Sequence, residues 1–103
     1  MYQLCFYVPQ EQVDQVKAAV FQAGGGRIGN YDCCCWQTPG LGQFRPLEGS
    51  DPFTGKQGRV EVVEEVKVEL VCEEALIESV IAALKRSHPY EEPAYHVIRL
   101  EKF

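Results

Sequence analysis

Two stretches with helical periodicity, each set between stretches that alternate like strands, constrain the fold of this chain most strongly. In residues 3–8, apolar side chains alternate between two sides, as in a half-buried strand. Residues 11–23 and 73–87 instead repeat apolar side chains at helical spacing. The predicted order is strand 3–8, helix 11–23, strand 28–36, strand 59–72, helix 73–87 and strand 94–100. This β-α-β-β-α-β order predicts an α+β, ferredoxin-like split βαβ fold, in which both helices cover one face of an antiparallel sheet.

The connection between the second and third predicted strands is irregular. LGQFRP extends the strand pattern as far as Pro46, and residues 48–58 are dense in turn formers, which predicts an exposed loop or a hairpin tip. In the third strand Glu64 falls among the apolar positions and interrupts their alternation. This interruption predicts a bend or bulge at residues 63–65.

The composition indicates one compact domain over residues 1–103 and disfavours several classes of function. With 46% hydrophobic and 24% charged residues, the chain resembles an ordinary globular protein. Its formal net charge of −5 disfavours nucleic acid as a partner, because phosphate contacts need clustered Lys and Arg. No apolar run approaches the ~20 residues that span a bilayer, and the first residues lack the basic start of a signal peptide. We therefore expect a cytoplasmic protein that binds neither nucleic acid nor membrane.

Several apolar or aromatic residues have the parity opposite to that of core positions in the predicted strands. They are Tyr7, Tyr31, Cys33, Cys35, Tyr95 and Val97. A sheet face that carries all of them is too apolar to remain in water. The sequence therefore predicts a homo-oligomer that is built through the sheets.

The stretch HPYEEPAY, which begins at His88, connects the second helix to the last strand and has two interpretations. In the structural one, Pro89 ends the helix, Pro93 fixes the entry to the strand, and the remaining side chains form an interface or line a cleft. In the catalytic one, His88 and Glu91 or Glu92 form an acid–base pair, which requires them to lie within ~3 Å of each other or of a bound substrate. The absence of a nucleophile or metal partner at a recognised spacing favours the structural interpretation. The candidate ligand or interface residues are His88, Tyr90, Glu91, Glu92 and Tyr95.

Five cysteines, three of them consecutive, raise the alternative of a metal site. In a strand, Cys33 and Cys35 would share one face at ~6.7 Å along the chain, and thiolates favour soft ions such as Cu(I). The chain has no CxxC spacing, which is the stronger zinc signal, and a free cysteine also behaves as a small buried apolar residue. Packing is therefore the favoured role, and copper or zinc at Cys33 and Cys35 is the open alternative.

The loop over residues 48–58 is the third candidate site. Asp51 and Lys56 are charges typical of a solvated surface, whereas Phe53 is an aromatic residue on a turn-rich tip. Such an exposed aromatic often contacts a neighbouring subunit or a partner protein. Since long connections frequently carry function, a protein partner contacted through this loop is expected slightly ahead of a passive loop.

Four motifs in order resemble a known family. They are IGNY (28–31), GQFRP (42–46), EGSDPFTGKQGRVEVVEE (48–65) and HPYEEPAY (88–95). This pattern is similar to the YqfO-like domain, which is inserted between the halves of Nif-type dinuclear-metal hexameric proteins and also occurs as short separate chains. HPYEEPAY also resembles a segment of CutA proteins. The resemblance implies a CutA/PII-like ferredoxin-type fold and an oligomer, most often a trimer, but it transfers no metal ligand to this chain.

The sequence thus favours a non-enzymatic oligomeric binding or regulatory module, which senses a small ligand or ion at subunit interfaces. The first alternative is a metal-binding or metal-homeostasis protein that uses the Cys33–Cys35 cluster. A hydrolase-associated enzyme component is the third hypothesis, suggested only by the larger relatives.

Overall fold

The computed structural model describes all 103 residues, which form a single four-stranded sheet and two α-helices. The elements are β1 (Tyr2–Pro9), α1 (Val13–Gln22), β2 (Trp36–Phe44), β3 (Glu61–Cys72), α2 (Ile77–Ser87) and β4 (Tyr95–Arg99). A short 3-10 turn precedes each helix, at Gln10–Gln12 and at Glu74–Leu76. The sheet is antiparallel, with the strand order β2-β3-β1-β4. The predicted ferredoxin-like β-α-β-β-α-β fold is therefore confirmed.

The hydrophobic core lies between one face of the sheet and the two helices, as the helical periodicity predicts. β1 runs through its centre, with Leu4, Phe6 and Val8 fully buried. These side chains pack against apolar residues of α1, β3 and α2, which are Val13, Val16, Val20, Val66, Val68, Leu70, Val80 and Leu84. Neither helix has the length and apolar character needed to cross a membrane.

The second strand begins later than predicted, at Trp36 instead of residue 28. Ile28 and Tyr31 exchange two backbone hydrogen bonds of 2.9 Å, which close a tight turn around Gly29. Gly29 has a φ of 57°, a conformation that the first central residue of a two-residue hairpin turn requires. This local turn chemistry outweighs the apolar alternation, so residues 28–35 are irregular. β2 instead begins at Trp36 and includes the LGQF part of the predicted LGQFRP extension.

The bulge predicted at residues 63–65 is absent. β3 pairs with β2 residue by residue from Glu61 to Glu69, without an insertion. The pairing of β1 with β3 ends at Glu65, so the last residues of β2 and the first residues of β3 project beyond the core as a two-stranded ribbon. Glu64 therefore lies among apolar positions but remains in contact with water, because its part of the strand is exposed on the helix side.

The open face of the sheet is less apolar than predicted. Tyr95 and Val97 pair with Phe6 and Leu4, so they lie on the helix face and pack against the core. Tyr31 and the cysteines at 33 and 35 lie outside the strands. The centre of the open face instead carries the Lys67–Glu69 ion pair of 3.6 Å beside Gln3, Cys5 and Tyr7. Apolar exposure is found near its edges, where Trp36 is 69% and Ile98 is 48% exposed.

Candidate functional site

α2 ends at Ser87, and the turn that follows is fixed by the imidazole of His88. His88 has extended backbone dihedrals, as a residue before proline prefers, and its side chain is only 6% exposed. The Nδ1 atom accepts a hydrogen bond of 3.1 Å from the backbone N–H of Tyr90. Nε2 is therefore the protonated nitrogen, and it donates a 2.6 Å hydrogen bond to the carbonyl oxygen of Tyr7.

Both nitrogens of the imidazole therefore form hydrogen bonds with backbone groups. Burial lowers the pKa of His88, although the hydrogen bond to Tyr7 and the charge of Glu65 act in the opposite direction. No hydrogen bond joins the imidazole to Glu91 or Glu92. The two members of the alternative acid–base pair are thus not brought together, and the imidazole acts as a brace between α2 and β1.

Tyr90 follows this brace and forms the centre of an aromatic cluster. Its ring centroid lies 5.1 Å from that of His88, 5.8 Å from Phe44 and 6.2 Å from Phe53, all in tilted arrangements. The hydroxyl of Tyr90 donates a 2.9 Å hydrogen bond to Glu65 Oε2. Burial, the hydrogen bond and the negative charge of Glu65 together raise the pKa of Tyr90, so its hydroxyl stays protonated.

Glu65 can reach Tyr90 because the adjacent strand β2 has a glycine, Gly42, beside the Glu65 side chain. The carboxylate of Glu65 lies directly over Gly42 in β2, in the space that a side chain would fill. Glu61, Glu65 and Glu69 alternate with the apolar residues of this strand, a pattern that predicts an acidic side facing solvent. The structure corrects this prediction, since Glu65 is half-buried and holds the tyrosine of the turn.

The loop over residues 48–58 closes on the same turn. Glu91 Oε1 accepts a 2.8 Å hydrogen bond from the backbone N–H of Asp51, which joins residues 40 positions apart. The base of the loop is closed by a 2.8 Å hydrogen bond from the N–H of Gly58 to the carbonyl of Pro46. Phe53 packs on Tyr90 but remains 55% exposed.

These contacts leave a cleft of about 270 Å³ between the turn, the loop and the adjoining strands. Its apolar wall consists of Tyr7, Phe44, Pro46, Pro52, Phe53 and Tyr90. Three carboxylates, those of Glu65, Glu91 and Glu92, also line it, and no Lys or Arg does. The two ion pairs of the chain lie elsewhere, at Lys67–Glu69 and Arg99–Glu74. The cleft is therefore aromatic and uniformly acidic.

Comparisons with known proteins agree with the motifs on which this cleft is built. No protein-family model matches the chain. The GTP cyclohydrolase 1 type 2 homolog of Halalkalibacterium halodurans is 48% identical over 100 residues, which are 97% of this chain and 27% of that protein. Its counterpart in Bacillus subtilis is 44% identical over 99 residues. A solved Bacillus cereus protein related to NIF3 superposes with a TM-score of 0.83 at 38% identity, over 98% of this chain and 26% of that one.

The chain resembles the YqfO-like domain over nearly its whole length, as its motifs predict. It spans about a quarter of the length of the curated relatives that it matches. CutA from Xylella fastidiosa shares the fold of this YqfO-like chain over 99% of its residues and 85% of the CutA chain, with a TM-score of 0.69 and 16% identity. The PII-like protein CutA from Nostoc gives the same TM-score at 19% identity. The predicted CutA/PII-like fold is thus confirmed.

Two of the predicted site residues of the YqfO-like chain lie away from the cleft walls. Tyr95 lies on the helix face, where the ammonium of Lys85 is 5.5 Å from its ring centroid. Lys56 is exposed in the loop and contributes only its carbonyl, which accepts a hydrogen bond from the N–H of Arg59. The cleft is thus formed by Tyr90, Glu91 and Glu92 with Phe53, while His88 and the N–H of Asp51 brace its walls.

The cysteine cluster lies apart from this cleft, in the irregular segment before β2. Cys33 is exposed and has a φ of 55°, whereas Cys35 packs against the core. Slight burial and the neighbouring Asp32 raise the pKa of Cys33. No three His, Cys, Asp or Glu side chains of the chain lie close enough together to hold a metal ion.

Tyr7, Phe44 and Glu65 are among the cleft residues that the sequence does not single out as site residues. Tyr7 and Glu65 meet at the open face because β1 and β3 pair antiparallel, with Tyr7 opposite Lys67. Alternation alone gives the face of each residue within its own strand. The register between strands, which brings the residues together, has no local signal in the sequence.

Proposed function

We propose that this chain is a non-enzymatic binding module that takes up a small ligand in the aromatic, acidic cleft beside Tyr90. The observation that carries the proposal is the cleft itself, whose walls come from a turn, a loop and a ribbon fixed to one another by side-chain hydrogen bonds. Small-molecule sites are concave, largely apolar and largely preformed, with a few placed polar groups. The cleft has each of these properties.

The hydrogen bonds of His88 and Tyr90 disfavour a catalytic role for these two side chains. The imidazole of His88 is saturated by two backbone groups, and the Tyr90 hydroxyl is held protonated by Glu65. A general base needs a free position within hydrogen-bond reach of a substrate proton. These two side chains stabilise the shape of the cleft and have no such free position.

We further propose that the module assembles into a homo-oligomer, most simply a trimer as the family resemblance implies. β2 is an edge strand of nine residues, and nearly all of it is exposed. An exposed edge strand of that length offers unpaired backbone groups to another chain. Trp36 and Leu41 on this strand, at 69% and 75% exposed, add apolar area that assembly would bury.

The loop over residues 48–58 gives the module a means of reporting its ligand. Its contacts with the turn are one hydrogen bond, from Asp51 to Glu91, and the packing of Phe53 on Tyr90. A ligand in the cleft touches this loop directly, since Ser50, Pro52 and Phe53 line the cleft. Occupancy would therefore change the surface that the loop presents to a protein partner.

Native mass spectrometry of untagged protein, under reducing and metal-replete conditions, tests the proposal. An oligomer that retains a small mass supports it, and a Phe53→Ala, Tyr90→Ala variant should lose that mass. GTP is the first compound to add, because the curated relatives are named GTP cyclohydrolase 1 type 2 homologs. A monomer would contradict the assembly, and turnover that vanishes in a folded His88→Ala variant would contradict the non-enzymatic role.

A further inference from the structure

The charge of the cleft narrows the class of ligand, if the cleft binds one as proposed above. Glu65, Glu91 and Glu92 line a single cavity whose lining contains no basic side chain. Neither of the chain's two ion pairs involves any of them. Three uncompensated carboxylates around one cavity attract a cation and repel phosphate groups.

The aromatic wall of the cleft gives a second, independent preference for one class of ligand. The rings of Phe44, Phe53 and Tyr90 form one cluster with centroid separations of 5.8 and 6.2 Å to Tyr90. Aromatic faces attract organic cations through the ring quadrupole, and guanidinium groups also stack on them. A bare metal ion gains little from such a wall and needs several oxygen, nitrogen or sulfur ligands instead, which no cluster of side chains here supplies.

The bonding of the carboxylates leaves them able to act as acceptors for a cation. Glu91 uses Oε1 for the N–H of Asp51, and Glu65 uses Oε2 for the hydroxyl of Tyr90. Both carboxylates are thereby oriented by the protein and keep further lone pairs. Glu92 is exposed at the edge of the cleft.

We propose that this cleft binds an organic cation, an ammonium or guanidinium group on an aliphatic chain, with the charged end at the glutamates and the stem against Phe53 and Tyr90. The same chemistry is carried by a free amine and by a Lys or Arg side chain of a partner protein. The size of the cleft, about 270 Å³, suits one such group and its stem.

The test is an NMR titration of the 103-residue chain with n-butylguanidine, with N-acetylarginine methylamide and with N-acetylcitrulline methylamide. The citrulline compound has nearly the shape of the arginine compound and carries no charge. We expect saturable shifts of the amides of Phe53, Tyr90 and Glu91 with the two cations, and binding of the citrulline compound that is about tenfold weaker or worse. Tighter binding of n-butylguanidine would identify a free small-molecule cation as the ligand, and tighter binding of the blocked arginine would identify a protein side chain.

Matched charge variants complete the test. Glu91→Gln, Glu92→Gln should weaken cation binding about tenfold, because both charges are lost while the amide oxygen at 91 still accepts from Asp51. Glu78→Gln, Glu101→Gln removes the same charge from α2 and the last residues and should leave binding unchanged. The ligand is not a cation if the citrulline compound binds as tightly as the arginine compound, or if the Glu91→Gln, Glu92→Gln variant binds the cations with unchanged affinity. Either result would leave the proposed binding function standing. If no compound, including GTP and inorganic phosphate, shifts the cleft amides, the proposed function itself fails.

Discussion

Replacement of His88 by alanine tests the brace between α2 and β1 most directly. The change removes hydrogen bonds of 2.6 Å to the Tyr7 carbonyl and 3.1 Å from the Tyr90 N–H. A net hydrogen bond contributes ~0.5–1.5 kcal/mol, and a buried group that loses its partner costs ~1–3 kcal/mol. β4 begins at Tyr95, which pairs with Phe6, so no residue of β4 pairs with Tyr7. The Tyr7 carbonyl therefore has no partner in the β4 strand. We therefore expect the free energy of unfolding to fall by about 2–4 kcal/mol.

Urea unfolding followed by circular dichroism measures this loss, at one fixed protein concentration because assembly adds to stability. For a chain of this size the corresponding fall in Tm is about 10–20 °C. His96→Ala is the control, since His96 is exposed on β4 and should change stability by no more than about 0.5 kcal/mol. A His88→Ala protein as stable as the control would refute the role of the imidazole as a brace.

The same histidine gives the wild-type chain a pH dependence of known sign. Burial lowers the pKa of His88 in the folded state, so below pH ~6.5 the unfolded chain binds a proton that the folded chain does not. Stability should therefore be complete above pH ~6.5 and fall as the pH drops from there toward the lowered pKa. The fall should be smaller in His88→Ala than in wild type. An equal slope in both proteins would assign the pH dependence to other groups.

Three further changes test the remaining contacts of the site. Tyr90→Phe removes the hydrogen bond to Glu65 but keeps the ring, so unfolding experiments should show a loss of about 1–2 kcal/mol without loss of the fold. Gly42→Ala places a methyl group where the Glu65 carboxylate lies, so the NMR signals of Tyr90, which bonds that carboxylate, should shift. Gly40→Ala is the control, because no atom lies near that position, and it should leave the Tyr90 signals unchanged. In native protein a thiol reagent should modify Cys33, which is exposed, well before the fully buried Cys5, and equal rates would contradict the placement of both.

The sequence predicts the fold because its elements carry local patterns. Residues 3–8 alternate and residues 73–87 repeat at helical spacing, and both patterns correspond to elements of the structure. The failure at residues 28–36 has a local cause, since the Gly29 turn closes between Ile28 and Tyr31 and outweighs the apolar residues around it. Turn chemistry at single residues is easily missed when periodicity is the main signal.

The site is predictable only where its residues are close together in the chain or occur in motifs. HPYEEPAY and the loop were both selected from the sequence, and the Asp51–Glu91 hydrogen bond joins them. The sequence places Glu65 in solvent, because its neighbours in the strand are acidic and the pairing that places it over Gly42 is set between strands. For the same reason the sequence places Tyr7 at an interface and not in a cleft wall.

The brace formed by His88 also sets the order in which the cleft can be completed during synthesis of the chain. Its imidazole bonds a carbonyl 81 residues earlier, and Tyr90 bonds a carboxylate 25 residues earlier. On the ribosome, β1 and β3 can pair and the loop can emerge while the turn is still unmade, so the aromatic surface at Phe44 and Phe53 stays open until residues 88–94 are released. A nascent or truncated chain that lacks this turn exposes apolar surface of the kind that chaperones bind.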